Sequence, residues 1–358
     1  MERNPGIELP ILRGRGVGWN PPNRFEKLHL DREGWTDPDD PPPRTILLKD
    51  ASRSILANND SPDVGFDVGI NPYRGCEHAC AYCYARPTHE YLGYSAGLDF
   101  ETRILVKSRA PELLRAALSS KSWRPRTIAL SGNTDCYQPA ERRLRITRRC
   151  LEVLAEFRNP VGIITKSYLV GRDADLIGEL GRHGAAAVVL SITTLRPELQ
   201  RTLEPRAATP ARRLGAIRVL AGAGIPVGVN VAPVIPGLTD HEVPAIMEAA
   251  AEAGASFAGM ILLRLPHGVK DIFEGWLRQH VPERADKVLN RMRELRGGKL
   301  YDARFGVRGR GEGPWAEHLR SVFRLHRERL ALDRSPTLSA DAFRVPAEPA
   351  GPQTDLFA

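Results

Sequence analysis

The chain has 358 residues, of which 42% are hydrophobic, and it carries a formal net charge of +8. That apolar content suffices for a large buried core, while no apolar run approaches the roughly 20 residues that span a bilayer. The N-terminal MERNPGIELPILRGRG also lacks the continuous apolar stretch of a secretory signal, so a membrane protein or a secreted scaffold is not indicated and a cytoplasmic location is the expectation.

Residues 1–60 open with segments rich in Pro, Gly, Asp and Arg, ending in DPDDPPPR, and read as an irregular N-terminal arm. From 61 to 280 the chain alternates between short apolar runs and amphipathic helical patterns. The runs are FDVGIN, TIALSG, VGIITK, AAVVLSIT, PVGVNVAPV and FAGMILLRL. Thr209 and Asp240 are candidate N-caps, and Gly184, Gly224 and Gly254 stand where helices should stop. Six successive strand–helix units imply parallel strands joined by right-handed crossovers. They suit an α/β fold, either a partial (β/α)6 TIM-like barrel or a doubly wound open sheet. In both, chemistry belongs at the C-terminal strand ends. Residues 281–333 read as a mostly helical C-terminal extension with a Gly- and Arg-rich interruption, and 334–358 as a disordered tail.

Five cysteines occur, at 76, 80, 83, 136 and 150, three of them within eight residues. A secreted disulfide framework would spread an even number along the chain, so the cluster points to a metal site in a reducing compartment. The spacing Cys76-x3-Cys80-x2-Cys83 offers three thiolates to an iron–sulfur cubane and leaves one iron open to an exogenous ligand. A structural zinc site would need a fourth ligand, for which His78 and His89 are available. Cys150, on an amphipathic helix, reads as a small core residue. Arg supplies most of the positive charge. Both a nucleic-acid partner and Arg dispersed over helix faces remain open.

The segment GCEHACAYCY, with an aromatic residue before the third Cys, resembles the motif of the radical S-adenosylmethionine (SAM) superfamily, and in particular its spore photoproduct lyase-like branch. SGNTDCYQPAERRLRITR, ITKS and APVIPGLTDHE extend the likeness over about residues 14–330. The resemblance implies the barrel, a [4Fe-4S] cluster on Cys76, Cys80 and Cys83, and SAM on the open iron. It implies reductive cleavage of SAM to a 5′-deoxyadenosyl radical that abstracts hydrogen from a substrate.

The resemblance also assigns roles residue by residue. Tyr82 and Tyr84 match a pair proposed to relay radicals; from their place beside Cys83 both either pack around and shield the cluster or border the SAM adenine. Asn133 and Thr134 contact the ribose or methionine portion. Lys166 and Ser191 reach the SAM carboxylate, as does Arg212 unless it pairs with Glu204. Val234, Ile235 and Pro236 hold adenine. The lyase's hydrogen-donating Cys falls at Gly132 here, so Cys136 is the substitute candidate, as a pocket-lining thiol or an ordinary loop residue. The expected partners are an unidentified substrate, DNA or RNA among the options, and a reductant such as flavodoxin or ferredoxin. The competing reading is a non-catalytic nucleic-acid-binding protein stapled by an Fe–S cluster or zinc.

Overall fold

The computed structural model describes residues 11–26 and 43–346. The strands in chain order are β1 (Ile46–Lys49), β2 (Leu56–Asn58), β3 (Val68–Ile70), β4 (Tyr73–Arg74), β5 (Arg103–Val106), β6 (Ile128–Leu130), β7 (Val161–Thr165), β8 (Ala186–Ile192), β9 (Val227–Val234) and β10 (Phe257–Leu262). The six apolar runs are β3 and β6 to β10. They pair in parallel in the order β3-β6-β7-β8-β9-β10, with β2 added antiparallel beside β3. The ends of this ladder are not hydrogen-bonded to each other, so the architecture is a partial barrel. A small second sheet, β1-β5-β4, flanks the first crossover.

Alternation along each strand separates two faces. Val68, Ile70, Ile128, Leu130, Val161, Ile163, Val188, Leu190, Val227 and Val229 join the main core beneath the crossover helices. The intervening residues face the lumen. There Gly69, Ala129, Gly162 and Ala187 stand in register across four strands, a layer of small residues that leaves the barrel interior roomy.

Helix ends follow local chemistry. Thr209 Oγ1 accepts the Arg212 N–H at 3.4 Å ahead of Pro210, and Gly184, Gly224 and Gly254 adopt φ of +63°, +71° and +100°. Asp240 caps nothing: it lies inside a short 3-10 turn, Asp240–Glu242.

Two segments carry more order than their composition suggests. The arm contains β1 and β2, of which β1 depends on a partner far along the chain, β5, while β2 pairs back antiparallel with the nearby β3. Residues 334–346, within the segment read as a disordered tail, lie along the body. Ser339 and Arg344 donate backbone N–H bonds to the Gly184 and Phe157 carbonyls at 3.0 and 2.9 Å, and the Phe343 and Phe157 rings are 6.2 Å apart. One aromatic anchor and the free carbonyls near helix C-termini hold this stretch, and neither leaves a periodic pattern. The rest of the arm (1–10 and 27–42) and of the tail (347–358) lies outside the described residues.

Residues 11–26 run against the cysteine segment. The Gly16 N–H donates to Glu101 Oε2 at 3.1 Å, and a Cβ built on Gly16 would come within 1.8 Å of the Ala79 carbonyl oxygen. Gly16→Ala is therefore expected to destabilise the fold by about 1–3 kcal/mol, the usual cost of overpacking. The lowered midpoint of urea unfolding measures it; an unchanged midpoint would show that the arm does not pack there.

Candidate active site

The three-cysteine loop leaves the C-terminal end of β3 through β4 and lies over the barrel mouth. Gly75 begins it at φ +78°, and a Cβ there would meet the Phe100 carbonyl oxygen at 2.9 Å, so only glycine fits before Cys76. The loop is wound around a fully buried guanidinium. Arg86 donates to the Cys80 carbonyl through Nε and NH2 (3.0 and 2.8 Å), to the Ala96 and Gly97 carbonyls, and to the Glu101 carboxylate. The Ala81 N–H bonds the Leu203 carbonyl at 3.0 Å and the Arg206 N–H bonds the His78 carbonyl at 3.3 Å, tying the loop to the β8–β9 crossover.

All five cysteines are free. Cys76 and Cys80 are buried and Cys83 is half-buried between two small apolar clusters. Burial pushes the Cys80 thiol well above its ordinary range and Cys83 up to about 11, with the neighbouring thiols adding repulsion. Three free thiols, two buried and one half-buried, of which only Cys76 meets a cationic side chain, that of His78, are what an iron–sulfur cluster would use, since metal coordination supplies the positive charge that their deprotonation needs. Among the described residues no three Cys, His, Asp or Glu groups gather around a single-ion position. His89 is engaged at Nε2 by the Arg103 carbonyl (3.0 Å), and His78 Nδ1 faces Asp135 at 3.3 Å.

His78 and Asp135 form a second anchor. Burial opposes both charges, but the pairing with each other wins: the imidazole is raised to about 10 and the carboxyl lowered to about 2. Asp135 also accepts from Thr165 Oγ1 (2.7 Å) and the Lys166 N–H (2.8 Å), joining the ends of β6 and β7.

The centre of the site is Glu204, fully buried just after helix Pro197–Leu203. It accepts from Tyr82 Oη, from Arg213 and, at 2.8 Å, from Thr193 Oγ1, while Lys166 Nζ stands 3.8 Å away. Burial alone would raise its pKa; Arg213, Lys166 and the hydrogen bonds reverse that and hold it at about 2. Lys166 Nζ also donates to the Ala232 carbonyl at 3.1 Å and lies 5.9 Å from the Tyr82 ring centroid. Beside this group, the Ser191 hydroxyl has no partner among the described residues. Its cross-strand neighbour Asn230 buries an unpartnered Oδ1. An unsatisfied buried amide oxygen at a barrel mouth fits a polar ligand.

Of the residues singled out from sequence, Tyr82, Lys166 and Ser191 converge here with the cysteine loop. The others stand apart. Arg212 is exposed, its guanidinium 5.7 Å from the Tyr168 ring centroid; its neighbour Arg213 turns inward to Glu204 because helix geometry rotates adjacent residues by 100°. Cys136 is fully buried in the main core, its carbonyl bonded by Thr147 Oγ1, so it lines no pocket. The Thr134 hydroxyl is committed to the Tyr73 carbonyl at 2.8 Å, and the Asn133 side chain is exposed. Ile235 is buried in the second core cluster with its N–H donated to Thr239 Oγ1 at 3.0 Å. Tyr84 is 44% exposed and donates to the Gly132 carbonyl. Reasoning from sequence passed over Arg213, Asp135 and Asn230, and weighed Glu204 only as a partner for Arg212. A buried-strand Asn between valines was the one legible signal for Asn230.

Glu204→Ala leaves Arg213 and Lys166 uncompensated and is expected to cost about 3–5 kcal/mol of stability. Because the folded Glu204 and Asp135 carboxyls are held below their unfolded values, their contribution is full above about pH 4.5 and fades as pH falls towards 2. Urea midpoints from pH 6 to pH 3 should drop for the wild type, and drop less for Glu204→Gln; parallel curves would refute the assignment.

The sequence pattern of the Radical SAM superfamily matches residues 70–250. An uncharacterized protein of Mycobacterium tuberculosis (strain H37Rv) is 40% identical over 252 residues, 70% of this chain and 72% of that protein. An uncharacterized protein of Methanocaldococcus jannaschii is 32% identical over 173 residues, 48% of this chain and 62% of the relative. Among solved structures, a spore photoproduct lyase mutant with bound AdoMet and dinucleoside spore photoproduct aligns with a TM-score of 0.58 at 19% identity, covering 79% of each chain. Spore photoproduct lyase complexed with dinucleoside spore photoproduct aligns with the same TM-score at 18% identity over 79% of each chain. No helix among the described residues is long and apolar enough to cross a membrane. A matching family pattern that begins on β3 and takes in the cysteine loop, on a barrel of six parallel strands, places this chain in the radical SAM superfamily of enzymes.

Proposed function

We propose that Cys76, Cys80 and Cys83 hold three corners of a [4Fe-4S] cluster whose fourth corner takes SAM. When bound, the cluster and SAM supply a one-electron reductive cleavage that yields a 5′-deoxyadenosyl radical for hydrogen abstraction from a substrate. The observation that carries this reading is the convergence of three free thiols, two of them buried, with the Ser191 hydroxyl and the Lys166 ammonium at the same strand ends.

The chain's own residues do the positioning. Arg86 fixes the Cys80 carbonyl and so the loop's curvature. Lys166, pointing into the mouth, offers a cation to the SAM carboxylate, and Ser191 offers a hydroxyl. Asn230 offers a carbonyl oxygen to a ribose hydroxyl. Tyr82, locked by Glu204, walls the site with its ring and shields it from water. The substrate is an organic molecule, a nucleic acid being one candidate suggested by the lyase-like fold. A flavodoxin or ferredoxin in the cytoplasm is the proposed reductant, in keeping with five unoxidised thiols.

Anaerobically reconstituted protein should be brown, absorb broadly near roughly 400 nm, and release 5′-deoxyadenosine with SAM and dithionite. Cys80→Ala should lose both the cluster absorbance and the nucleoside. A colourless protein carrying zinc, or a cluster protein that never cleaves SAM, would overturn the proposal in favour of a non-catalytic binding role.

A further inference from the structure

The open side of the barrel lies between β10 and β2, and the Gly- and Arg-rich loop at 304–311 spans it. The Leu262 N–H donates to the Gly309 carbonyl at 2.9 Å, extending the β10 edge. Across the gap, Arg308 pairs with Asp63 and Ser61, and the Gly306 N–H donates to Asp63 at 2.6 Å. Arg304 is engaged by Asp302 and Glu312. Most of the positive charge of this loop is therefore already answered within the protein.

Arg264, two residues beyond β10, is the exception. Its guanidinium carbon stands 4.9 Å from the Tyr84 ring centroid. Among the described residues it has neither a hydrogen-bond partner nor a carboxylate within ion-pair distance, and its Nε is buried without a partner. Asp63, whose carboxyl feels its charge, is already held by Arg308 and Gly306. Behind it Arg296 is buried and donates to the Leu263 and Arg308 carbonyls and the Met292 sulfur, again with no carboxylate in contact. Of these three neighbouring guanidinium groups only Arg308 has a carboxylate in direct contact.

A half-buried guanidinium without an acceptor is costly, and the protein keeps this one in place by stacking it on an aromatic face. Its planar fork matches two oxygens of one anion. Tyr84 follows Cys83 directly, so an anion held there lies beside the cysteine loop. We propose that Arg264, stacked on Tyr84 at the barrel seam, is the anchor for a substrate oxyanion, a phosphate or a carboxylate. That the anion belongs to the substrate rests on the function proposed above; that the site binds an anion does not.

The test uses the full-length protein without turnover. Phenylglyoxal modification is followed by peptide mass spectrometry, alone and with inorganic phosphate, acetate or SAM at matched ionic strength. Arg264 should react faster than Arg304 and Arg308. Phosphate or acetate should slow it about tenfold, the change expected when a charge-assisted pair protects the group. Protection by phosphate alone would identify a phosphoryl substrate, and by acetate alone a carboxylate. Protection by SAM but by neither small anion would hand the residue to the cosubstrate and overturn the proposal, as would no protection at all. In parallel, phosphate or acetate should raise the thermal midpoint of the wild type but not of Arg264→Gln, with the variant's own midpoint reporting its folding. Loss of SAM cleavage with anion protection intact would sink only the catalytic reading, and the reverse only this one.

Discussion

A single buried carboxylate sets the geometry on which the rest of the site depends. Glu204 cannot stay ionised in a dry interior unless several donors reach it together, and those donors come from separate parts of the chain. Tyr82 arrives from the cysteine loop, Lys166 from the end of β7, Thr193 from the end of β8 and Arg213 from the following helix. Each is held because the others are. The loop bearing the thiols is thereby locked to the barrel mouth in one orientation, independently of any cofactor.

The two other buried polar groups act in the same manner at smaller scale. Arg86 replaces the missing regular structure of the cysteine loop by collecting carbonyls that no strand or helix would satisfy. Asp135 binds the ends of β6 and β7 to the His78 ring that lies between two of the cysteines. The polar interior is dense here for a physical reason. A loop that must present three thiols inward cannot also bury enough apolar surface to hold itself, so hydrogen bonds to charged groups take over. Elsewhere, beneath the crossover helices, the core is ordinary aliphatic packing.

The barrel's incompleteness has a consequence for access. Six parallel strands leave a side open, and the lumen layer of Gly69, Ala129, Gly162 and Ala187 keeps space within it. The loop at 304–311 joins the β10 edge by a backbone hydrogen bond and reaches across the gap to Asp63 by an ion pair and a hydrogen bond rather than by strand pairing. Charged contacts at a surface seam are weaker than a ladder and exchange readily with solvent ions. The approach to the cysteine loop is therefore bordered by arginine and aromatic side chains, where a closed barrel would present backbone.

Much of the fold was legible in the chain itself. Six apolar runs of strand length, separated by helical periodicity and closed by glycines, leave few alternatives to parallel strands in sequence order, since side-chain alternation and crossover handedness are local properties. The three thiols were legible for the same reason: their spacing is a fact of one short loop. Tertiary structure decided what depends on direction and distance. It turned Arg213 rather than Arg212 inward, sank Cys136 into the core, gave the Thr134 hydroxyl to a backbone carbonyl, and left Arg264 without a partner beside Tyr84. Neighbouring residues of one type are indistinguishable by composition. Only the packing of elements far apart in the chain determines which of them meets a buried charge and which meets water.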